Sequence, residues 1–149
     1  MTIKYAHTNI IAEDWKRLAT FYQEVFGCVP IPQKRDLSGD WLDRVTGIDA
    51  SHITGIHLRL PGHGDAGPTL EIFQYDEMPP RPGVMPNTPG FSHIAFVVEN
   101  PNDVARSAFS KGASAIGDLV VQEVPGVGTL TIQYITDPEG NIVEIQRWD

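Results

Sequence analysis

Two histidines and two glutamates recur at matched places in this sequence. His7 and His93 each stand third in a short run, Tyr5-Ala6-His7 and Phe91-Ser92-His93. Glu71 and Glu144 lie in runs that superpose at one offset, pairing Gly67 with Gly140, Leu70 with Val143, Ile72 with Ile145 and Tyr75 with Trp148. Side chains alternate across a strand. His93 is therefore expected opposite Ile94, Phe96 and Val98, Glu144 opposite Val143 and Ile145, and Glu71 opposite Leu70 and Ile72. A carboxylate on a partly apolar face is costly unless it is paired or driven toward its neutral form. One divalent cation shared by His7, Glu71, His93 and Glu144 removes that cost. This all-N/O set leaves two octahedral places open and suits Zn, Ni, Co, Mn or Fe without choosing among them. Taken singly, a strand histidine reads as a satisfied structural group and an inward glutamate as a salt-bridge partner. The duplication favours the metal reading.

The elements that must carry these four residues also come twice. Residues 5–11 read as a strand. An apolar stripe follows at three- and four-residue spacing (Trp15, Leu18, Phe21, Tyr22, Val25, Phe26), which predicts an amphipathic helix closed by Gly27. Extended runs are expected at 28–34, 53–60 and 68–75. The second half repeats the plan with a strand at 91–98 and the helix-start cluster Asn100-Pro101-Asn102-Asp103. Val104, Ala108 and Phe109 continue that helix, Gly112 ends it, and runs follow at 115–124, 128–136 and 141–148. Asp137-Pro138-Glu139-Gly140-Asn141 is a strong turn signal. Each half thus reads as β-α-β-β-β, an internal repeat. Pro79, Pro80, Pro82, Pro86 and Pro89 mark an extended connector between them. The expected organisation is a single domain over 1–149, with a first module at about 1–76, a linker at 77–90 and a second module at about 91–149.

Composition narrows the classes. The 149 residues are 41% hydrophobic and 20% charged, a globular balance for a chain long enough to bury one core. A net charge of -8 argues against nucleic acid as a partner, because phosphate backbones reward basic surfaces. The single cysteine, Cys28, reads as a small buried hydrophobe rather than a nucleophile. The first residues carry no apolar leader segment and no stretch is long enough to span a bilayer, so the expectation is a cytoplasmic protein with no membrane partner.

These residues resemble the vicinal-oxygen-chelate superfamily, which includes glyoxalase I, methylmalonyl-CoA epimerase, extradiol dioxygenases, and fosfomycin and bleomycin resistance proteins. The marks are His7-Thr8-Asn9 before a helix with Phe21-Tyr22 and Phe26-Gly27, the strand Gly90-Phe91-Ser92-His93-Ile94-Ala95-Phe96, and the ending Asp137 to Ile145. The resemblance implies an α+β fold of two βαβββ modules forming a cupped, glyoxalase-like mixed sheet around one metal, and a homodimer. Glu71 matches a carboxylate position of glyoxalase I. The epimerase has Gln there, and the dioxygenases and fosfomycin-type transferases have three ligands only. Ile11 and Tyr75 stand where glyoxalase I grips glutathione with Arg and Asn, so the comparison tilts toward an epimerase or isomerase acting on a small carbonyl or thioester substrate.

In that reading the metal polarises the substrate, and Glu144 first and Glu71 second move the proton. Alternatives are a glyoxalase I-like lyase on glutathione or another thiol adduct, an extradiol-type dioxygenase, and a binding protein for a drug or other small ligand. His57, Arg59, Tyr75 and Trp41 are the expected substrate-pocket residues. The insertion at 36–51 would form a lid or a dimer contact, and His52 and His63 read as solvated surface.

Overall fold

The computed structural model describes residues 2–149, which divide into two compact units, 2–81 and Pro82–Asp149. The division falls inside the proline-marked segment. Each unit builds one five-stranded mixed sheet, with few helices and no closed barrel.

In the first unit, β1 (His7–Ile11) leads into α1 (Trp15–Phe26). Asp14 caps that helix by accepting from the backbone N–H groups of Lys16 and Arg17 at 3.1 Å each. Gly27 ends it in the left-handed conformation. Trp15, Leu18, Ala19, Phe21, Tyr22 and Phe26 are buried, which is the face the apolar spacing anticipated. The remaining elements are β2 (Val29–Pro30), β3 (Arg35–Ser38), α2 (Asp40–Thr46), β4 (His52–Arg59) and β5 (Thr69–Tyr75). The sheet order is β1-β5-β4-β2, with β3 also pairing β4, and α1 packs on β4 and β5. β1 runs parallel to β5, and β4 antiparallel to it. Gly55 faces Phe73 across that second pair, and a Cβ there would stand 2.2 Å from the Ile72 carbonyl oxygen and 2.6 Å from the Phe73 ring. Only glycine lets the two strands approach so closely.

The second unit repeats the plan with β6 (His93–Val97), α3 (Pro101–Ser110), β7 (Ser114–Ala115), β8 (Val120–Val124), β9 (Gly128–Thr136) and β10 (Ile142–Trp148). Its order is β6-β10-β9-β7, with β8 also pairing β9. Again the first strand lies parallel to the last, and the third long strand lies antiparallel to it. Asn100 caps α3 by accepting from the N–H groups of Asn102 and Asp103, and Pro101 occupies the first turn.

Two expectations need correction, and one segment gains a helix. The run at 28–34 forms only the two residues of β2 before the chain re-pairs as β3, because Pro30 and Pro32 cannot donate to a ladder. The run at 115–124 splits into β7 and β8 around Gly117. The insertion contains the helix α2, held by Asp43. Its carboxylate accepts from the N–H groups of Ala50 and Ser51 and from the Ser51 hydroxyl, at 2.8–2.9 Å, which keeps it below the usual carboxylate range.

His52 keeps a third of its side chain exposed, as the surface reading implied, but it is also held by two carboxylates. It is half-buried on β4, with Nε2 2.7 Å from Asp36 on β3 and Nδ1 2.8 Å from Asp76 at the end of β5. These bonds raise its pKa, the one to Asp36 most and the one to Asp76 next. A folded-state value above the unfolded one means the stabilisation is complete below about pH 6.5 and fades as pH rises through the folded value. The His52→Gln variant should therefore lose most thermal stability relative to wild type at about pH 6, and the gap should shrink by about pH 9. Melting temperatures of both proteins across that range check it, and a gap that is constant or grows with pH contradicts it.

The turn before β10 is fastened by Asp137, which is almost fully buried. Its Oδ1 accepts from the N–H groups of Glu139 and Asn141 at 2.9 Å, and its Oδ2 from Asn141 Nδ2 at 2.7 Å. Gly140 completes the turn at φ +86, a conformation that disfavours other residues. Asp137→Ala leaves part-buried N–H donors without their acceptor and should cost on the order of 3 kcal/mol, with Asp137→Asn costing less because it keeps one acceptor. Urea unfolding of the three proteins measures this.

Candidate functional site

The repeat places each histidine–glutamate pair by the same rule of register. In the first sheet His7 lies opposite Thr69 and Asn9 opposite Glu71. In the second, His93 lies opposite Ile142 and Ala95 opposite Glu144. Each histidine is thus two residues ahead of its glutamate's neighbour and shares the same face of the sheet.

The contacts follow. His7 Nδ1 is 3.5 Å from Glu71 Oε1, and His93 Nε2 is 3.1 Å from Glu144 Oε2. Glu71 and Glu144 are each only 9% exposed, in strands whose neighbours Leu70, Ile72, Val143 and Ile145 are buried. His7 and His93 are more open, their side chains 45% and 30% exposed. Each unit therefore carries a sheltered carboxylate with an accessible imidazole beside it.

On the antiparallel side, β4 sets His57 opposite Glu71, and β9 sets Tyr134 opposite Glu144. His57 Nε2 is 3.1 Å from Glu71 Oε1, and its Nδ1 is 3.2 Å from the Thr69 hydroxyl. Its ring meets His7 edge-on at 6.2 Å and Phe73 at 5.6 Å. Burial holds the His57 imidazole below its ordinary pKa, against the pull of Glu71. Tyr134 hydrogen-bonds Glu144 and lies 5.0 Å from the His93 ring. Burial first, and the Glu144 charge after it, push its phenol above the usual value. Asn9 Nδ2 donates to Glu71 Oε2 at 3.1 Å.

The four expected ligands thus sit as two pairs, one in each unit. Among the described residues no group of three or more His, Cys, Asp or Glu is disposed to hold an ion. His7 and His57 both approach a single oxygen of Glu71, an arrangement around the carboxylate rather than around a common centre. The donors themselves suit a divalent first-row metal. They are nitrogen and carboxylate oxygen, and within each pair they stand 3.1–3.5 Å apart. Bonds of about 2.0–2.2 Å to one ion place neighbouring donors roughly 3 Å from each other.

Of the expected pocket residues, His57 contacts the Glu71 carboxylate. Arg59, two residues on at the end of β4, is paired with Asp65 at 3.3 Å. Tyr75 ends β5 and is partly buried. Trp41 lies on α2 and is exposed. No contact among those described joins Arg59, Tyr75 or Trp41 to Glu71. Cys28 is buried and its thiol is pushed up to about 12 by that burial, which removes it as a nucleophile.

Tyr134 and Asn9 were missed by sequence reasoning. The usable signal was the hairpin register. His57 and Tyr134 precede their glutamates at different spacings because the β4–β5 connection is longer than the tight turn from β9 to β10.

A family model described as Glyoxalase/Bleomycin resistance protein/Dioxygenase superfamily matches residues 4–145. The chain belongs to that superfamily, as the strand motifs implied. It is also 32% identical over 73 residues to a virulence protein of Salmonella typhimurium. That match takes in 48% of this chain and 50% of the relative, so the chain spans about half the length of the curated relative it matches. Among solved structures, a glyoxalase family protein from Bacillus cereus aligns over 98% of this chain and 93% of its own, with TM-score 0.75 at 17% identity. A glyoxalase family protein from Enterococcus faecalis aligns over 96% of both chains, with TM-score 0.62 at 24% identity. At these identities the structures establish the fold. The superfamily's description names enzymes beside a resistance protein, so membership alone selects no reaction.

No helix among the described residues is long and apolar enough to cross a membrane.

Proposed function

We propose that the chain is a metal-dependent enzyme whose two modules work as a single domain, pooling His7, Glu71, His93 and Glu144 on one divalent ion. It would draw a proton from carbon beside a carbonyl or thioester, as an epimerase or isomerase does. The observation that carries this reading is the duplicated pair: a sheltered glutamate with an accessible histidine at the same register in both sheets. A bound divalent ion supplies Lewis-acid polarisation of the carbonyl.

The chain's own residues do the rest. Glu144 acts as the base, taking the α-proton and returning it to the opposite face or to a neighbouring carbon. The Tyr134 hydroxyl, hydrogen-bonded to Glu144, orients that carboxylate and stays protonated at neutral pH, since its pKa is raised. The buried strand faces behind both glutamates keep bulk water off one side of the site, which strengthens every charge interaction there.

A lyase acting on a thiol adduct shares this proton transfer and differs only in substrate. Ile11 and Tyr75, apolar and aromatic where a glutathione-gripping Arg and Asn would stand, weigh against glutathione itself.

The test is hydrogen–deuterium exchange. The protein, loaded in turn with Zn, Ni, Co, Mn or Fe, is incubated in deuterium oxide with acyl-CoA thioesters and with thiol adducts of 2-oxoaldehydes. Metal-dependent deuteration at the carbon next to the carbonyl is the expected result. Oxygen consumption with a catechol, or tight ligand binding by metal-free protein without exchange, would replace this reading with a dioxygenase or a binding protein.

A further inference from the structure

The two glutamates are repeats of each other, but their surroundings have diverged. Glu71 is gripped on both oxygens. Asn9 Nδ2 donates to Oε2 at 3.1 Å, and His57 Nε2 stands 3.1 Å from Oε1. The only neutral imidazole tautomer that can donate to the carboxylate carries its hydrogen on Nε2, which leaves Nδ1 to accept from the Thr69 hydroxyl at 3.2 Å. Thr69, Glu71 and Phe73 share one face of β5. The Phe73 ring packs edge-on against His57, in space left by the missing side chain of Gly55. The imidazole is thereby fixed on two sides.

The repeat-equivalent positions in the second sheet are Ala95 and Tyr134. Ala95 can donate nothing from its side chain. Glu144 keeps the Tyr134 hydroxyl but has no counterpart of the Asn9 amide.

Building on the proposed function, we infer that Asn9 and His57 are positioning residues that lock the orientation in which Glu71 would hold the ion. Carboxylates that bind metals are themselves oriented by hydrogen bonds, and removing such a partner costs roughly 10- to 100-fold in metal affinity.

The experiment titrates cobalt(II) into the full-length wild type, Asn9→Ala, His57→Ala and His57→Gln proteins, following affinity by calorimetry and coordination by the visible absorption of the ion. Each alanine variant should bind roughly 10- to 100-fold more weakly and shift the absorption band. His57→Gln, whose amide can still donate to Glu71, should recover most of the affinity. That recovery separates positioning from a general loss of fold, as does an unchanged circular dichroism spectrum. Wild-type affinity and spectrum in both alanine variants would overturn the assignment of Asn9 and His57 while leaving the shared-ion reading intact. A wild-type protein that binds no cobalt would overturn that reading and this inference together.

Discussion

The Glu144→Gln variant should retain its bound ion and lose proton exchange by roughly 10²- to 10⁴-fold, the usual contribution of a positioned acid–base group. Gln matches Glu in shape, so the sheltered place of this side chain on β10 is refilled without a cavity. Its amide oxygen still accepts the Tyr134 hydroxyl and can still face an ion, but it cannot take up a proton. The loss should fall on turnover rather than on substrate binding. Glu71→Gln should reduce exchange less, because Asn9 and His57 hold Glu71 in place and the proposed reading gives proton transfer first to Glu144. Exchange rates measured by mass spectrometry on the two variants decide the order. Near-wild-type exchange in Glu144→Gln, with metal bound, would remove Glu144 as the base.

A second large effect is expected from either histidine alone. His7→Ala and His93→Ala each delete one nitrogen donor from one module, and both side chains are accessible enough that the fold should tolerate the change. Loss of a direct ligand should exceed the roughly 100-fold penalty typical of a residue that merely orients one. Activity should fall in parallel. If each module held its own ion, each variant would keep half of the metal; a shared ion requires that either variant lose nearly all of it. Removing the metal with a chelator should reproduce the inactivity of both variants, and adding it back should restore only the wild type.

Much of the architecture was legible because the signals were local or duplicated. The stripe from Trp15 to Phe26 is a one-face pattern with an Asp14 cap and a Gly27 stop, and it forms α1 as read. The pairing of Glu71 with Glu144 and of His7 with His93 needed only the repeat, and the register confirms that both pairs are built alike. What escaped depended on neighbours distant in sequence. His52 looked like an ordinary polar residue at the start of a strand, yet Asp36 on β3 and Asp76 just past the end of β5 reach it. Asn9 was visible in the opening motif without a role, since its donation to Glu71 spans a parallel pair of strands. Tyr134 carries no sign of function in its own run, and only the β9–β10 register puts it against Glu144. The helix α2 was hidden by its shortness and by Gly39 and Gly47 at its ends. Cross-strand contact, unlike helical stripe or turn chemistry, is not written in any short window of sequence.

Metal content per polypeptide, determined by elemental analysis on the wild type and on the His7→Ala and His93→Ala proteins after reconstitution and desalting, tests the central claim most directly. A shared centre predicts one ion per chain in the wild type and almost none in either variant. Two ions per chain, or one retained when either histidine is removed, would mean that the two modules do not pool their donors.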